Sequence, residues 1–178
     1  MILDDEYEFQ KHLKDVYQLK NVVRYNTRNV LKKENVAEHS FYVALFALKI
    51  CKDMNVNEEM TNKAIIKALL HDMPEIELND ITHDVKEKLH LRLLLKSYED
   101  DYFIKHYPEF SDLMNEQDSK VDSIVLLADT MSVYQYCLNE LSLGNKSDDI
   151  AEIFQESKAR LKKCYEYLKD AFEEGGKQ

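Results

Sequence analysis

The chain has 178 residues, a formal net charge of −10 at pH 7, and only 3 Gly and 2 Pro. Such a length suits one domain with a substantial core, and the scarcity of turn residues predicts long helices in an all-α fold. The acidic balance and the lack of a basic stripe argue against a nucleic-acid polymer as partner. The first residues do not resemble a signal peptide, and no apolar run is long enough to span a membrane. We therefore expect a cytoplasmic protein with no membrane partner.

Apolar residues at helical spacing predict seven helices joined by short connections. They cover residues 4–22, 35–51, 57–70, 86–106, 109–116, 118–143 and 147–172. Asn35 and Glu38 are typical of a capping box, Asn57 is typical of an N-cap, and Gly144 is typical of the residue that follows a helix. The chain shows no repeat and no linker, so we expect a single domain over residues 1–178.

Local patterns also separate buried from polar segments. Residues 75–85 are expected to form a polar loop, with Thr82 as a candidate cap for the next helix. The third helix carries an apolar stripe that we expect to be buried, made of Ala64, Ile65, Ala68 and Leu69. The three cysteines have no paired spacing and are expected to be reduced and structural; they are Cys51, Cys137 and Cys164.

Four residues with metal-ligating side chains lie on or beside apolar helix faces. His39 borders the buried face at the start of the second helix, and His71 with Asp72 closes the third. Asp129 interrupts the apolar run IVLLADTMS in mid-helix, where aspartate has no capping role. Each has a structural alternative: an ordinary hydrogen-bonded histidine, a helix-end cap, or an ion pair.

Taken together, these imidazoles and carboxylates suit one divalent metal ion, because an unpaired carboxylate is costly to bury. Such a donor set favours Co, Mn, Fe, Ni or Zn over Ca, with Mg as a further candidate. The metal-site core would then cover about residues 35–130.

Other polar residues lie close to this set in the sequence. Glu75 follows Asp72 by three residues and could serve as a general acid or base without binding the metal; the alternative is a solvated acidic loop. Arg24 and Arg28 precede His39 in a polar segment. They suit a bidentate phosphate clamp, and the alternative is ordinary surface charge.

At these residues the chain resembles the HD-domain metal-dependent phosphohydrolases, since His39, His71-Asp72 and Asp129 follow their H…HD…D order. Three longer segments are similar to those of the bacterial HD-domain 5′-deoxynucleotidases and their eukaryotic relatives: RYNTRNVLKKENVAEHS, LLHDMPEIELNDITHDVK and ADTMSVYQYCLNELSLGN. The resemblance covers nearly the whole chain. It implies an all-α HD-domain helical bundle with a buried mononuclear metal site. It also implies hydrolysis of deoxyribonucleoside 5′-monophosphates and a homodimer.

The resemblance also implies roles for single residues. The implied metal ligands are His39, His71, Asp72 and Asp129. The implied catalytic residues are Glu75 as the catalytic carboxylate, Arg24 as the group that orients the phosphate, and Asp80 near the sugar and the reacting phosphate. The implied substrate contacts are Arg24, Tyr25, His39, Asp80, Ile81, Thr82 and His83. Tyr25 departs from the pattern, because the best-known bacterial members have a tryptophan there. The residues after Asp80 depart from a more proline-rich pattern.

Two other functions fit parts of the sequence. The same HD site could act on another phosphorylated nucleotide, such as a nucleotide polyphosphate or a cyclic phosphodiester. The short chain, with one ligand set and no second histidine pair, favours a monoester instead. The chain could also be a helical binding or dimerisation module with a degenerate site. Against that reading, none of the four ligand positions is replaced.

Overall fold

The computed structural model describes residues 14–81 and 83–174. Residues 14–18 are helical and lead into a 3-10 turn, Leu19–Asn21. The helices that follow are α1 (Val36–Asp53), α2 (Glu58–Leu70), α3 (Glu75–Leu78), α4 (His83–Lys88), α5 (Arg92–His106), α6 (Pro108–Asn115), α7 (Ser119–Ser142) and α8 (Asp148–Glu174). Within the described ranges there is no strand beyond an isolated bridge between Val23 and Asn35. The predicted all-α fold is confirmed, and none of the described helices is long and apolar enough to cross a membrane.

The predicted helix ends are formed by the side chains that the sequence indicated. Asn35 accepts from the backbone N–H of Glu38 at 3.0 Å, and the Glu38 carboxylate accepts from the Asn35 N–H at 3.3 Å, which completes the capping box before α1. Asn57 caps α2 by accepting from the Met60 N–H at 2.8 Å. Gly144 adopts a φ of +90° just after α7, a conformation that costs glycine little.

The predicted helix over 86–106 is wrong, because the chain breaks it into α4 and α5. His90 adopts a φ of +52°, and the Leu91 N–H bonds to the Lys86 carbonyl at 3.0 Å. This is the Schellman pattern that ends a helix with a left-handed residue. Glycine usually occupies that position, so a histidine there gave no signal in the sequence.

Three further expectations need correction or fall outside the described part. The expected loop over 75–85 contains the helical turn α3, which ends at Asn79 with a φ of +58°. The predicted helix over 4–22 ends in a 3-10 turn, and its residues before 14, like Thr82, lie outside the described residues. Leu69 is 41% exposed rather than buried. Lys67 is buried instead, and its ammonium group binds the Asp122 carboxylate at 2.8 Å.

The main core lies between α1, α2, α7 and α8. It is made largely of small and branched side chains, so these helices approach one another closely: Val43, Ala47, Ala64, Ala68, Val121, Ile124, Leu127 and Ala128. The three cysteines are buried and free, as predicted.

Two smaller clusters fix the segments around the candidate site. One forms around Met73 and holds the turn after α2 against α5. The other forms around Tyr136 and Ile150 and anchors Tyr25 and Val30. The irregular segment before α1 is thereby tied to α7 and α8.

Candidate metal centre and catalytic site

Three parts of the chain bring the four predicted metal ligands together. His39 lies in the first turn of α1, His71 and Asp72 follow the last turn of α2, and Asp129 lies in the middle of α7. Ligand atoms of His39, His71 and Asp72 all lie within 4.8 Å of one another. Asp129 joins this trio through His39, whose Nε2 is 3.2 Å from Asp129 Oδ1.

The Nδ1 atom of each imidazole already has a hydrogen-bond partner. His71 Nδ1 lies 2.8 Å from the Ala68 carbonyl oxygen, which can only accept, so Nδ1–H donates and Nε2, once it is deprotonated, can offer a lone pair to a metal ion. His39 Nδ1 lies 3.2 Å from the Ser132 hydroxyl, which can accept from Nδ1–H and so leave the Nε2 lone pair for a metal ion. Among the described residues, neither buried Nε2 atom has a hydrogen-bond partner. Two orphaned imidazole nitrogens beside two carboxylates fit a divalent metal ion.

Electrostatics keep the carboxylates of this site ionised. Burial acts to raise the pKa of Asp72, but the adjacent His71 imidazole outweighs burial and lowers the pKa. Burial also acts to raise the pKa of Asp129, and His39 lowers it overall. Burial acts to lower the pKa of His71, yet Asp72 raises it to about 9. In the metal-free protein the carboxylates thus hold a proton on His71, and a bound metal ion would take the place of that proton.

Glu75 differs from its neighbours, since it is a buried carboxyl group that favours its protonated form. It is only 8% exposed, so the alternative of a solvated acidic loop does not apply to it. Burial and then the charge on Asp72 raise the pKa of Glu75 to about 9. Its Oε1 lies 3.9 Å from the ammonium group of Lys86. A carboxyl group that is protonated at neutral pH next to a metal site is suited to donate a proton.

The two arginines of the segment before α1 have different partners. Arg24 donates to Asp72 Oδ2 at 3.2 Å, and its Nε lies 3.5 Å from the buried Glu34 carboxylate. Arg28 instead pairs with Asp149 at 3.1 Å and with Glu152 at 3.3 Å at the start of α8. Arg24 therefore belongs to the site, whereas Arg28 ties its segment to α8.

Tyr25 and Asp80 meet at the edge of the site. Tyr25 has a φ of +54°, and its backbone N–H donates to Asp80 Oδ2 at 3.0 Å. Its ring stacks on Tyr136 with centroids 4.8 Å apart. Ile81 lines the adjacent cavity, and His83 begins α4.

A cavity with about 300 Å³ of empty space opens beside His71 and Asp72. Its walls come from α3, α4, α5 and the turns between them; the lining residues are His71, Asp72, Pro74, Glu75, Leu78, Asn79, Ile81, Lys86, Leu95 and Glu99.

Three contributors to the site were missed by the sequence analysis. Glu34 contacts Arg24, Ser132 contacts His39, and Arg160 of α8 pairs with Asp129 Oδ2 at 3.4 Å. Ser132 could have been found, because it lies three residues after Asp129 on the same helix face. The Arg160 contact depends on how α8 packs along α7, for which the sequence has no local signal.

Comparison with known proteins agrees with this geometry. A family model described as 5′-deoxynucleotidase YfbR-like matches residues 11–174. A 5′-deoxynucleotidase from Cronobacter sakazakii is 31% identical over 162 residues, which is 82% of this chain and 77% of that protein. The 4′-phosphooxetanocin A phosphatase of Priestia megaterium is 28% identical over 170 residues, covering 87% of this chain and 86% of that protein.

A solved structure shares the fold. The HD phosphohydrolase DatZ of cyanophage S-2L, solved with dA and one catalytic Zn²⁺ ion, matches with a TM-score of 0.73 at 17% identity, covering 91% of this chain and 94% of that one. The predicted HD-domain fold and the predicted metal-dependent phosphohydrolase class are thereby confirmed. The family match spans nearly the whole chain, and the relatives align over most of their length. The chain therefore belongs to the YfbR-like 5′-deoxynucleotidase family.

Proposed function

We propose that the chain hydrolyses deoxyribonucleoside 5′-monophosphates to a deoxynucleoside and phosphate. The observation that carries this proposal is the pairing of two unlike groups at one cavity. Two buried imidazole nitrogens without a hydrogen-bond partner face two ionised carboxylates, and Glu75, whose pKa burial raises to about 9, lines the same cavity as His71 and Asp72. The first group suits a metal ion, and the second suits the proton transfer that a phosphate monoester needs. The names of the relatives support the same substrate class.

His39, His71, Asp72 and Asp129 would hold one divalent metal ion. When bound, the ion polarises the phosphoryl group and makes water a stronger nucleophile at neutral pH. Imidazole and carboxylate donors favour Co, Mn, Fe, Ni or Zn, with Mg as a further candidate, and the Zn²⁺ of the cyanophage protein is consistent with that set. Element analysis of the purified protein decides the metal.

Glu75 would perform the proton transfer of the reaction. Hydrolysis breaks the bond between phosphorus and the 5′ oxygen, and the departing alkoxide needs a proton. Glu75 lines the cavity beside Asp72 and holds a proton at neutral pH, because burial raises its pKa to about 9. It can therefore donate that proton to the leaving oxygen as a general acid.

Arg24 and Asp80 would orient the substrate at opposite ends. The Arg24 guanidinium already binds one oxygen of Asp72, and its remaining N–H groups can orient the phosphate. Asp80 holds the Tyr25 backbone, so the two residues present a carboxylate oxygen and an aromatic ring to the sugar. His39, Ile81, Thr82 and His83 complete the proposed substrate contacts.

A panel of phosphorylated nucleotides tests the substrate class. Release of inorganic phosphate should be fastest with deoxyribonucleoside 5′-monophosphates. Ribonucleoside monophosphates, nucleotide polyphosphates and cyclic phosphodiesters serve as the competing classes. Faster turnover of a polyphosphate or a diester would replace the proposed substrate while keeping the HD site. A protein without phosphatase activity on the whole panel, despite bound metal, would favour a binding module.

A homodimer remains part of this proposal. The outer face of α1 leaves large apolar side chains in solvent, with Phe41 55% exposed, Tyr42 47% exposed and Leu45 47% exposed. Neighbouring exposed apolar residues of this size suit an interface with a second copy. Light scattering on the eluted protein should give twice the chain mass, and Leu45→Glu should shift it towards the single-chain mass.

A further inference from the structure

The cavity beside the metal-site residues carries more acidic than basic groups. Asp72, Glu75 and Glu99 contribute carboxyl groups to its wall. Among the described lining residues, Lys86 is the single lysine or arginine. A phosphate dianion that enters a cavity of this kind is repelled by ionised carboxylates unless a cation offsets them. A metal ion held by the site would offset part of this charge, and Lys86 supplies a further positive charge at the cavity wall.

Lys86 is positioned by α4 to meet a ligand at the cavity wall. Its ammonium nitrogen lies 3.9 Å from Glu75 Oε1, and its side chain is 34% exposed. This separation is longer than a hydrogen bond, so a phosphate oxygen can replace the Glu75 carboxyl group as the partner of the ammonium group. A lysine is suited to that exchange, because its charge sits at the end of a flexible stem with three donors.

Arg24 is less available for the same task. Its side chain is 11% exposed and already engages Asp72 at 3.2 Å and Glu34 at 3.5 Å. It also does not contribute to the described wall of the cavity. The Arg24 guanidinium therefore already has two carboxylate partners, whereas Lys86 belongs to the wall of the cavity.

We propose that Lys86 is a phosphate-binding residue, which contacts the phosphoryl oxygens of the substrate from the cavity side. This inference rests on the proposed hydrolysis of a phosphate monoester. It adds to the proposed function a residue that binds the phosphate dianion of the substrate. In the absence of substrate, the ammonium group lies beside the Glu75 carboxyl group. When substrate binds, the phosphate replaces Glu75 as its partner.

The test uses the metal-loaded protein and the two products of the reaction as separate probes. Calorimetry with inorganic phosphate and with a deoxynucleoside compares wild type with Lys86→Ala, Lys86→Arg and Lys88→Ala. Lys88 is the matched control, since it is an exposed lysine on the same short helix. Element analysis of each variant verifies that its metal content equals that of wild type.

Lys86→Ala should weaken phosphate binding by roughly 10- to 100-fold, the span of one charge-assisted hydrogen bond, and should raise KM by a similar factor. Deoxynucleoside binding should stay within about twofold, because the charge acts on the phosphate alone. Lys86→Arg should restore most of the phosphate affinity, and Lys88→Ala should leave both products unaffected.

Three outcomes would overturn the role of Lys86. Phosphate affinity could be unchanged in Lys86→Ala, both products could weaken equally, or the variant could lose its metal. The last two would show that Lys86 supports the structure of the cavity. A wild-type protein that binds phosphate through Lys86 but hydrolyses no deoxyribonucleotide would leave the Lys86 inference standing and remove the proposed substrate.

Discussion

Replacing Glu75 by glutamine should separate catalysis from stability. Glutamine keeps the shape and hydrogen-bonding capacity of a protonated glutamic acid, so the buried position can accept it. It cannot release a proton to the leaving oxygen. We therefore expect kcat to fall by about 10²- to 10⁴-fold, the usual span for lost acid–base catalysis, with metal content unchanged.

The same substitution should stabilise the metal-free protein. Burial and the charge on Asp72 raise the pKa of Glu75 from its ordinary 4.5 to about 9. Between these values the unfolded chain is ionised at this residue while the folded chain still holds the proton, so stability falls as pH rises. At pH 7 the resulting cost is at most about 3 kcal/mol, since one pKa unit corresponds to about 1.4 kcal/mol. Glu75→Gln removes this cost, because its amide does not titrate.

Urea unfolding of metal-free wild type and Glu75→Gln at several pH values measures this difference. The advantage of the variant should be absent near pH 4, should grow as pH rises above 4.5, and should level off near pH 9. Glu77→Gln is the matched control on the same helical turn, because the Glu77 side chain is 47% exposed. The reasoning fails if Glu75→Gln turns over deoxyribonucleotides at the wild-type rate, or if it is less stable than wild type across this range.

Three other substitutions test separate parts of the site and its scaffold. Asp129→Asn should lose most of the bound metal by element analysis, whereas Asp122→Asn on the same helix should keep it and lose only the ion pair with Lys67. Arg24→Lys should lower kcat/KM by about 10- to 100-fold, because lysine cannot present a planar fork to Asp72 and the phosphate; an unchanged value would exclude Arg24 from the site. Glu140→Gln should lower the unfolding free energy by about 2 kcal/mol at neutral pH, since the buried carboxylate accepts from the backbone N–H groups of Leu31 and Lys32 at 2.7 and 2.8 Å. Burial acts to raise the pKa of Glu140, but these bonds lower it overall, so its contribution is present above the ordinary pKa of 4.5 and is lost as pH falls through the folded value. Equal unfolding curves for the two proteins at pH 7 would contradict that role.

Local signals in the sequence were enough for most helix ends and for the main members of the site. Asn35, Asn57 and Gly144 act on their own backbone neighbours, so their chemistry is visible without a fold. The H…HD…D order was informative for a related reason. His71 and Asp72 are adjacent, and Asp129 interrupts an apolar run, so each departs from an otherwise regular helix.

Contacts between distant segments could not be predicted in the same way. Arg28 and Arg24 share a polar segment and have the same chemistry, yet one binds Asp149 and the other binds Asp72. Their separation follows from how the segment before α1 runs from the turn after α2 to the start of α8. Leu69 and Lys67 show the same limit of sequence-based prediction, because helical spacing predicted Leu69 to be buried and the structure buries Lys67. The acceptors for Lys67 come from α7 and from the turn that precedes it, and they make the lysine the inward residue.

The segment that carries Arg24 shows how such distant contacts build the site. Tyr25 occupies the left-handed region at a φ of +54°, which costs a bulky residue on the order of 1 kcal/mol. Glycine would adopt this conformation without strain. Contacts made by Tyr25 must therefore offset the cost of the left-handed backbone. Asp80 binds the strained backbone N–H at 3.0 Å, and Tyr136 stacks on the ring at 4.8 Å. The same turn directs Arg24 inward to Asp72 and places the Tyr25 ring at the edge of the site. Removing the Tyr25 ring should therefore weaken the positioning of Arg24 as well as the proposed contact with the sugar. Binding of the phosphate and recognition of the sugar are in this way coupled through one turn.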